Sequence, residues 1–177
     1  MAARKPTPAE MIALLAFHAI VSGAFIVAYL SGDEDTYGMH VFSGYTVLIA
    51  ILLRAAAGML APASSPLRLP RPSARPVLDW MKRLAAGDPK ARSERSPLIA
   101  WMAAALLVGV GLTAASGAAA DFVVRLEKLH ESLGEVSLSI VLGHIALVFG
   151  LHRLRKLAPA APSGWPRRPG PSDRVIP

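Results

Sequence analysis

Four apolar blocks, each about 20 residues long, limit how this 177-residue chain can fold. A helix of about 20 residues crosses the roughly 30 Å of hydrocarbon in a bilayer, whereas a soluble core does not need such continuous apolar runs. The chain is therefore expected to be all-α, an integral membrane four-helix bundle that contacts the lipid bilayer. The blocks run roughly through Met11–Leu30, Met39–Leu60, Pro97–Ala119 and Leu129–Leu151.

The segments outside the blocks complete a transmembrane domain of residues 1–157, which is followed by a tail. Prolines exclude regular helix from the start of the connection 61–96. The stretch VLDWMKRLAAG that follows predicts a short amphipathic helix on the headgroups, with Trp80 and its apolar neighbours against lipid. The tail, 158–177, is rich in proline and arginine and is expected to be disordered. The predicted transmembrane helices cover about 11–30, 38–60, 97–119 and 124–153.

The distribution of charge predicts how the helices are oriented. Sixteen of the nineteen Lys and Arg residues lie near the two termini, within 4–5 and 153–174, and in the connection 61–96, and these segments share one side of the membrane. The chain is expected to be a multi-pass protein of the bacterial cytoplasmic (inner) membrane. By the positive-inside rule, both of its termini face the cytoplasm. Topology explains the net charge of +7, so no nucleic-acid partner is needed to account for it.

Two further features exclude other classes of protein. The first block is expected to be retained rather than cleaved as a signal peptide. It is long for a signal core, and no A-x-A site precedes the acidic SGDED. The absence of cysteine excludes disulfides, thiolate-bound iron–sulfur clusters and thioether-attached haem.

Histidines inside the apolar blocks are the candidate functional residues, because polar side chains in hydrocarbon are costly. His130 and His144 are fourteen residues apart, which places both on one helix face, about 21 Å apart along the axis. Depth pairs His18 with His144 in the inner half of the bundle and His40 with His130 in the outer half. Two imidazoles facing one iron suit an electron-transferring haem, so the sequence predicts two non-covalently bound haem groups. For any single histidine, a hydrogen bond to a backbone carbonyl is the alternative.

Residues near the histidines support the same interpretation. Ser22, Gly44 and Gly134 each follow one of these histidines by a turn and would leave clearance for a flat macrocycle. Arg54 lies near the inner level, where it would pair with a haem propionate or extend to the headgroups. His152 is expected to contact headgroups. The third block has no ionisable residue, and its helix is expected to be structural.

An ordered set of short motifs is similar to a known family. Together these motifs resemble bacterial cytochrome b561 and the b-type cytochrome subunit of nickel–iron hydrogenases, over about residues 8–156. The resemblance implies a four-helix membrane bundle in which the same two histidine pairs bind two b-type haems. It also implies electron exchange with quinone and with a dehydrogenase or a soluble electron carrier. The motifs are H-x-x-x-G-Y at His40–Tyr45, R-x-x-x-G at Arg54–Gly58, S-P-L at Ser96–Leu98, L-H-E at Leu129–Glu131 and G-H-I at Gly143–Ile145.

The expected function is electron transfer across the membrane between the quinone pool and a redox partner. The chain would act either as a quinone oxidoreductase by itself, with a donor such as superoxide, or as a membrane anchor. In the second case it would relay electrons for a separate dehydrogenase, hydrogenase or periplasmic cytochrome c. A small transporter without haem is the alternative from another class. A homodimer through the third helix, rich in glycine and alanine, also remains open.

Overall fold

A computed structural model describes residues 4–156, in which all regular structure is helical. Four of the helices are long and apolar enough to cross a membrane, which confirms the predicted all-α bundle. The predicted disordered tail, 158–177, lies outside the described residues. In chain order the helices are α1 Pro8–Leu30, α2 Tyr37–Leu60, α3 Ala74–Ala85, α4 Pro89–Ser93, α5 Leu98–Ala120 and α6 Glu127–Lys156.

Polar capping starts α1 before the apolar block begins. The backbone N–H of Glu10 donates to Oγ1 of Thr7 at 3.3 Å, and the carboxylate of Glu10 accepts from the N–H of Thr7 at 2.8 Å. Pro8 occupies the first turn, where its missing N–H leaves no helical acceptor unpaired. The helix therefore begins ahead of Met11, because apolar patterning marks the lipid-facing part of a helix and not its cap.

The bundle consists of two antiparallel hairpins that meet along one seam. Helix α1 packs on α2, α5 packs on α6, and α2 packs on α5. At the seam, buried Val47 and Ile51 of α2 meet Val110 and Ala114 of α5. Helix α1 has no fully buried residue: Phe17, Val21 and Phe25 pack partly buried against this cluster, while most of its other large apolar side chains are exposed. This is the arrangement expected where lipid takes the place of a protein core on the outer face of a helix.

A buried polar contact joins α5 to α6. Ser137 is fully buried, and its Oγ lies 2.7 Å from Oγ1 of Thr113. Gly109 lies at the same interface, where a Cβ would fall 2.8 Å from Cδ1 of Ile140. Small residues and hydroxyl pairs are the means by which helices approach closely within lipid. This contact fixes the position of α6, which carries two of the candidate histidines.

The two ends of the bundle differ in charge. The basic end comprises the start of α1, the connection 61–97 and the end of α6. The acidic end comprises the turns 31–36 and 121–126 with the adjoining first turns of α6. Its cations are Arg125 and Lys128. Its carboxylates number seven and belong to Asp33, Glu34, Asp35, Asp121, Glu127, Glu131 and Glu135.

Trp80 of α3 is buried, and the prediction that it faces lipid is wrong. Its side chain is 5% exposed, and its Nε1–H donates to the carbonyl of Ala91 in α4 at 2.8 Å. A buried indole N–H needs an acceptor, and the neighbouring short helix provides one inside the connection. Leu78 and Met81 of the same helix are more than half exposed and remain available to lipid.

Replacing Trp80 with phenylalanine should destabilise the connection, because the smaller ring keeps a buried aromatic group but removes the hydrogen bond to Ala91. We expect a loss of about 1 kcal/mol, measured as faster proteolysis of the connection in the purified protein. Trp101→Phe is a matched control, since this indole also donates to a backbone carbonyl, that of Ser73, but is 46% exposed. Equal cleavage rates for Trp80→Phe and the native chain would contradict the prediction.

Candidate functional site

The structure brings the four intramembrane histidines together as two facing pairs. The rings of His18 in α1 and His144 in α6 have centroids 6.3 Å apart and planes inclined by 48°. The rings of His40 in α2 and His130 in α6 have centroids 5.8 Å apart and planes inclined by 75°. We name these the basic-end pair and the acidic-end pair. Depth along the helices indicated the same pairing; iron ligation by these residues stays a prediction.

Helix α6 contributes one imidazole to each pair. Within residues 4–156 its close backbone packing is with α5, whereas its histidine partners belong to α1 and α2. Each pair therefore bridges a seam where the helix backbones are not tightly packed. The fourteen residues from His130 to His144 correspond to about 21 Å along the helix. The bundle thus holds two separate sites, one above the other.

Backbone carbonyls fix the tautomer of both rings in the acidic-end pair. Nδ1 of His40 lies 2.7 Å from the carbonyl oxygen of Ala28, and Nδ1 of His130 lies 3.0 Å from that of Thr113. Because a carbonyl can only accept, each Nδ1 carries the proton and each Nε2 keeps a free lone pair. Metal-binding histidines commonly show this arrangement. A hydrogen bond from the histidine to a backbone carbonyl was the alternative to metal binding. In both rings this bond uses Nδ1 and leaves Nε2 free to bind a metal.

Ser22 has a direct contact in the basic-end pair. Its Oγ lies 3.3 Å from Nδ1 of His18, one helical turn earlier. The small size of Ser22 was expected to provide clearance, and its hydroxyl also orients the imidazole. With Nδ1 engaged by the serine, Nε2 is the ring atom of His18 that remains for another ligand.

The separation of the rings admits a metal between them. A ring nitrogen binds a transition metal at about 2.0–2.1 Å and lies about 1.1 Å from its own centroid, so two axial imidazoles have centroids about 6.3 Å apart. The observed separations of 6.3 and 5.8 Å allow such a metal with little adjustment. Packed aromatic rings also occur at these distances, so a cofactor site differs from ring packing by the open space around the rings.

Open space surrounds the acidic-end pair. A cavity of about 420 Å³ is lined by His40 and His130, and also by Gly44 and Gly134. A Cβ on either glycine would meet no atom within 4 Å, in agreement with the clearance expected of them. A flat macrocycle perpendicular to the axial ligands needs such room beside the helices. The residues present at this position therefore fit a haem held by two histidines.

Helix α5 positions the ring of His130, although its sequence suggested a structural role alone. A Cβ at Gly117 would lie 2.8 Å from Cε1 of His130, so only glycine leaves space for the ring. The carbonyl of Thr113 accepts from Nδ1, and Oγ of Ser116 lies 3.3 Å from the same nitrogen. These three residues, at i, i+3 and i+4, share one helix face. In the sequence, this role could have been recognised only from the cluster of small and hydroxyl residues on an otherwise apolar helix.

Carboxylates form the rim of the acidic-end cavity. Asp121, Glu127, Glu131 and Glu135 all line it. The hydroxyl of Tyr45, the last residue of the H-x-x-x-G-Y motif, donates to Oδ2 of Asp121 at 2.8 Å. This hydrogen bond ties α2 to the turn between α5 and α6 and closes one side of the cavity. The rim is the most negative part of the surface next to either histidine pair.

Arg54 contacts the connection between α2 and α3. Its Nη1 donates to the carbonyl of Leu67 at 2.6 Å. A Cβ on Gly58 would lie 2.7 Å from this Nη1. The guanidinium is therefore held by backbone close to the basic end, and its pairing with a propionate stays a prediction. His152 is exposed near the end of α6 and belongs to neither pair.

Comparison of the chain with protein-family models, with curated proteins and with solved structures finds no match. Among residues 4–156, no group of three or more His, Asp or Glu side chains could hold a bare metal ion.

Proposed function

We propose that the protein is a dihaem b-type cytochrome that transfers electrons across a membrane between the quinone pool and a redox partner. The observation that carries this proposal is the presence of two facing histidine pairs, one towards each end of the bundle. Each imidazole placed in an apolar helix costs free energy. A chain that needed only to cross the bilayer has no reason to place four of them in register.

Each haem would be held by one pair, His18 with His144 at the basic end and His40 with His130 at the acidic end. Haem b, when bound, supplies a one-electron couple whose potential depends on axial ligands, burial and nearby charge. Backbone carbonyls of α1 and α5 accept from Nδ1 of the acidic-end rings, so a neutral imidazole at either position presents Nε2 to a ligand. Gly44 and Gly134 keep the space beside those rings open.

Charge at the acidic end favours one kind of partner there. Seven carboxylates against two cations create a negative potential, which repels an anionic donor such as superoxide and attracts neutral or cationic partners. A basic periplasmic cytochrome c, or a separate dehydrogenase or hydrogenase subunit, suits this surface better. The charge thus supports a second candidate function, electron relay for a partner protein, over direct reaction with superoxide.

The distribution of Lys and Arg supports a location in the bacterial cytoplasmic membrane. Under the positive-inside rule the basic end, with both termini, would face the cytoplasm and the acidic end the periplasm. Electrons would then pass between a periplasmic partner and quinone in the bilayer. A dimer through α5 is not needed for either histidine pair, because each pair is complete within one chain.

A reduced-minus-oxidised visible spectrum of the purified full chain tests the proposal. We expect the bands of a b-type haem, and quantitation as pyridine haemochrome should give two haems per chain. The expectation follows from the two facing histidine pairs, each of which would hold one haem. A protein expressed with ample haem that shows no Soret band would overturn the proposal and favour a small transporter.

A further inference from the structure

A second cavity lies at the basic end of the bundle, apart from both histidine pairs. Its volume is about 820 Å³, and it opens between the start of α1 and the connection that leads to α5. The lining combines five cations with six apolar residues. The cations are Arg4, Lys5, Arg68, Arg71 and Arg95, and the apolar residues include Met11, Leu14 and Leu69.

The cations around this cavity exceed the carboxylates near them. Arg4 forms an ion pair with Glu10 at 2.7 Å, and Glu10 also accepts from Oγ of Ser65 at 2.6 Å. Among residues 4–156 no carboxylate lies within 4 Å of the other four cations. Four like charges around one cavity repel each other, so an anion that enters gains from all of them.

Two apolar residues of the lining lie further along the α1 span than the charged residues do. Met11 and Leu14 belong to the first two turns of α1, about 5–9 Å along the axis from Pro8. Arg4 and Lys5 precede the helix, and Arg71 and Arg95 belong to the connection outside it. A ligand with a negative head and apolar chains below it matches this order. A free phosphate ion matches the charged part alone.

We propose that this cavity binds an anionic glycerophospholipid, with the phosphodiester headgroup among the arginines and the acyl chains along Met11 and Leu14. The site would connect segments that are far apart in sequence. The N–H of Arg4 already donates to the carbonyl of Ser64 at 3.2 Å, and the bound headgroup adds contacts from Arg95. The lipid therefore stabilises the start of α1 against the connection.

Native mass spectrometry of the full chain in neutral detergent tests the proposal. Phosphatidylglycerol, phosphatidylcholine with the same acyl chains, and inorganic phosphate are titrated separately. We expect phosphatidylglycerol to bind at least tenfold more tightly than phosphatidylcholine. Replacing both Arg71 and Arg95 with glutamine should weaken phosphatidylglycerol about 30-fold, since each cation near a lipid surface contributes about fivefold.

The double variant Arg75→Gln with Lys82→Gln is the matched control, because both residues are exposed cations of α3 outside the cavity. It should bind phosphatidylglycerol within twofold of the native chain. Equal binding of the two lipids, or equal weakening by both double variants, would overturn the proposal. If inorganic phosphate bound as tightly as phosphatidylglycerol, the cavity would be a site for free anions, and the proposal that it binds a lipid would be overturned. Thermal unfolding without added lipid checks that the variants are folded.

Discussion

Replacing His130 with alanine should leave a protein that binds one haem per chain instead of two. The acidic-end pair then keeps a single imidazole, that of His40, while the basic-end pair is untouched about 21 Å away along α6. Haem quantitation as pyridine haemochrome, together with redox titration, measures the effect. The titration should lose one of two one-electron transitions and leave the other at its original potential.

His152→Ala is the matched control, because this exposed histidine is on the same helix and in neither pair. It should keep both haems. His40→Ala should remove the same transition as His130→Ala, which separates loss of a site from general misfolding. Two haems per chain in His130→Ala, or different transitions lost in the two variants, would contradict the assigned pairs.

Replacing Gly117 with alanine should selectively weaken the haem at the acidic end. The new Cβ would lie 2.8 Å from Cε1 and 3.1 Å from Nδ1 of His130, whose ring is held from the same side by the carbonyl of Thr113. The ring must move, at a cost of about 1–3 kcal/mol, which corresponds to roughly 5- to 150-fold weaker haem binding. The rate at which haem transfers to an excess of apomyoglobin measures the weakened binding. The visible spectrum of each haem shows from which site it is released.

Gly109→Ala provides the control on the same helix. Its Cβ would lie equally close to a neighbour, 2.8 Å, but that neighbour is Cδ1 of Ile140, the end of a flexible side chain that can rotate away. We expect haem transfer from Gly109→Ala at the native rate. The role assigned to Gly117 would be contradicted if both alanine variants released haem equally fast.

The transmembrane fold could be predicted because its signals are local. Twenty apolar residues in a row have few structures open to them in lipid, and each of the four long helices carries such a run. The proximity of His18 to His144, and of His40 to His130, could be inferred from depth alone. In a bundle of four spans, residues at the same depth have few other partners within reach.

Contacts between segments far apart in sequence could not be predicted in this way. Trp80 is buried because α4 offers the carbonyl of Ala91, an acceptor that no amphipathic pattern records. Arg54 is directed by the carbonyl of Leu67 in an irregular connection. The requirement for glycine at position 117 arises where α5 meets the His130 ring, which depends on helix rotation and not on either sequence alone.

A single unbroken helix, α6, bears one imidazole of each pair. The distance between the two sites along the bundle axis is therefore fixed by the number of residues between His130 and His144. Tilting α1 or α2 can open or close one site at a time, but it cannot bring the sites closer together. The spacing can change only by whole turns, since a single inserted residue would rotate one imidazole about 100° away from its partner. Variation in this helix between His130 and His144 is therefore expected to consist of substitutions, with single-residue insertions and deletions excluded.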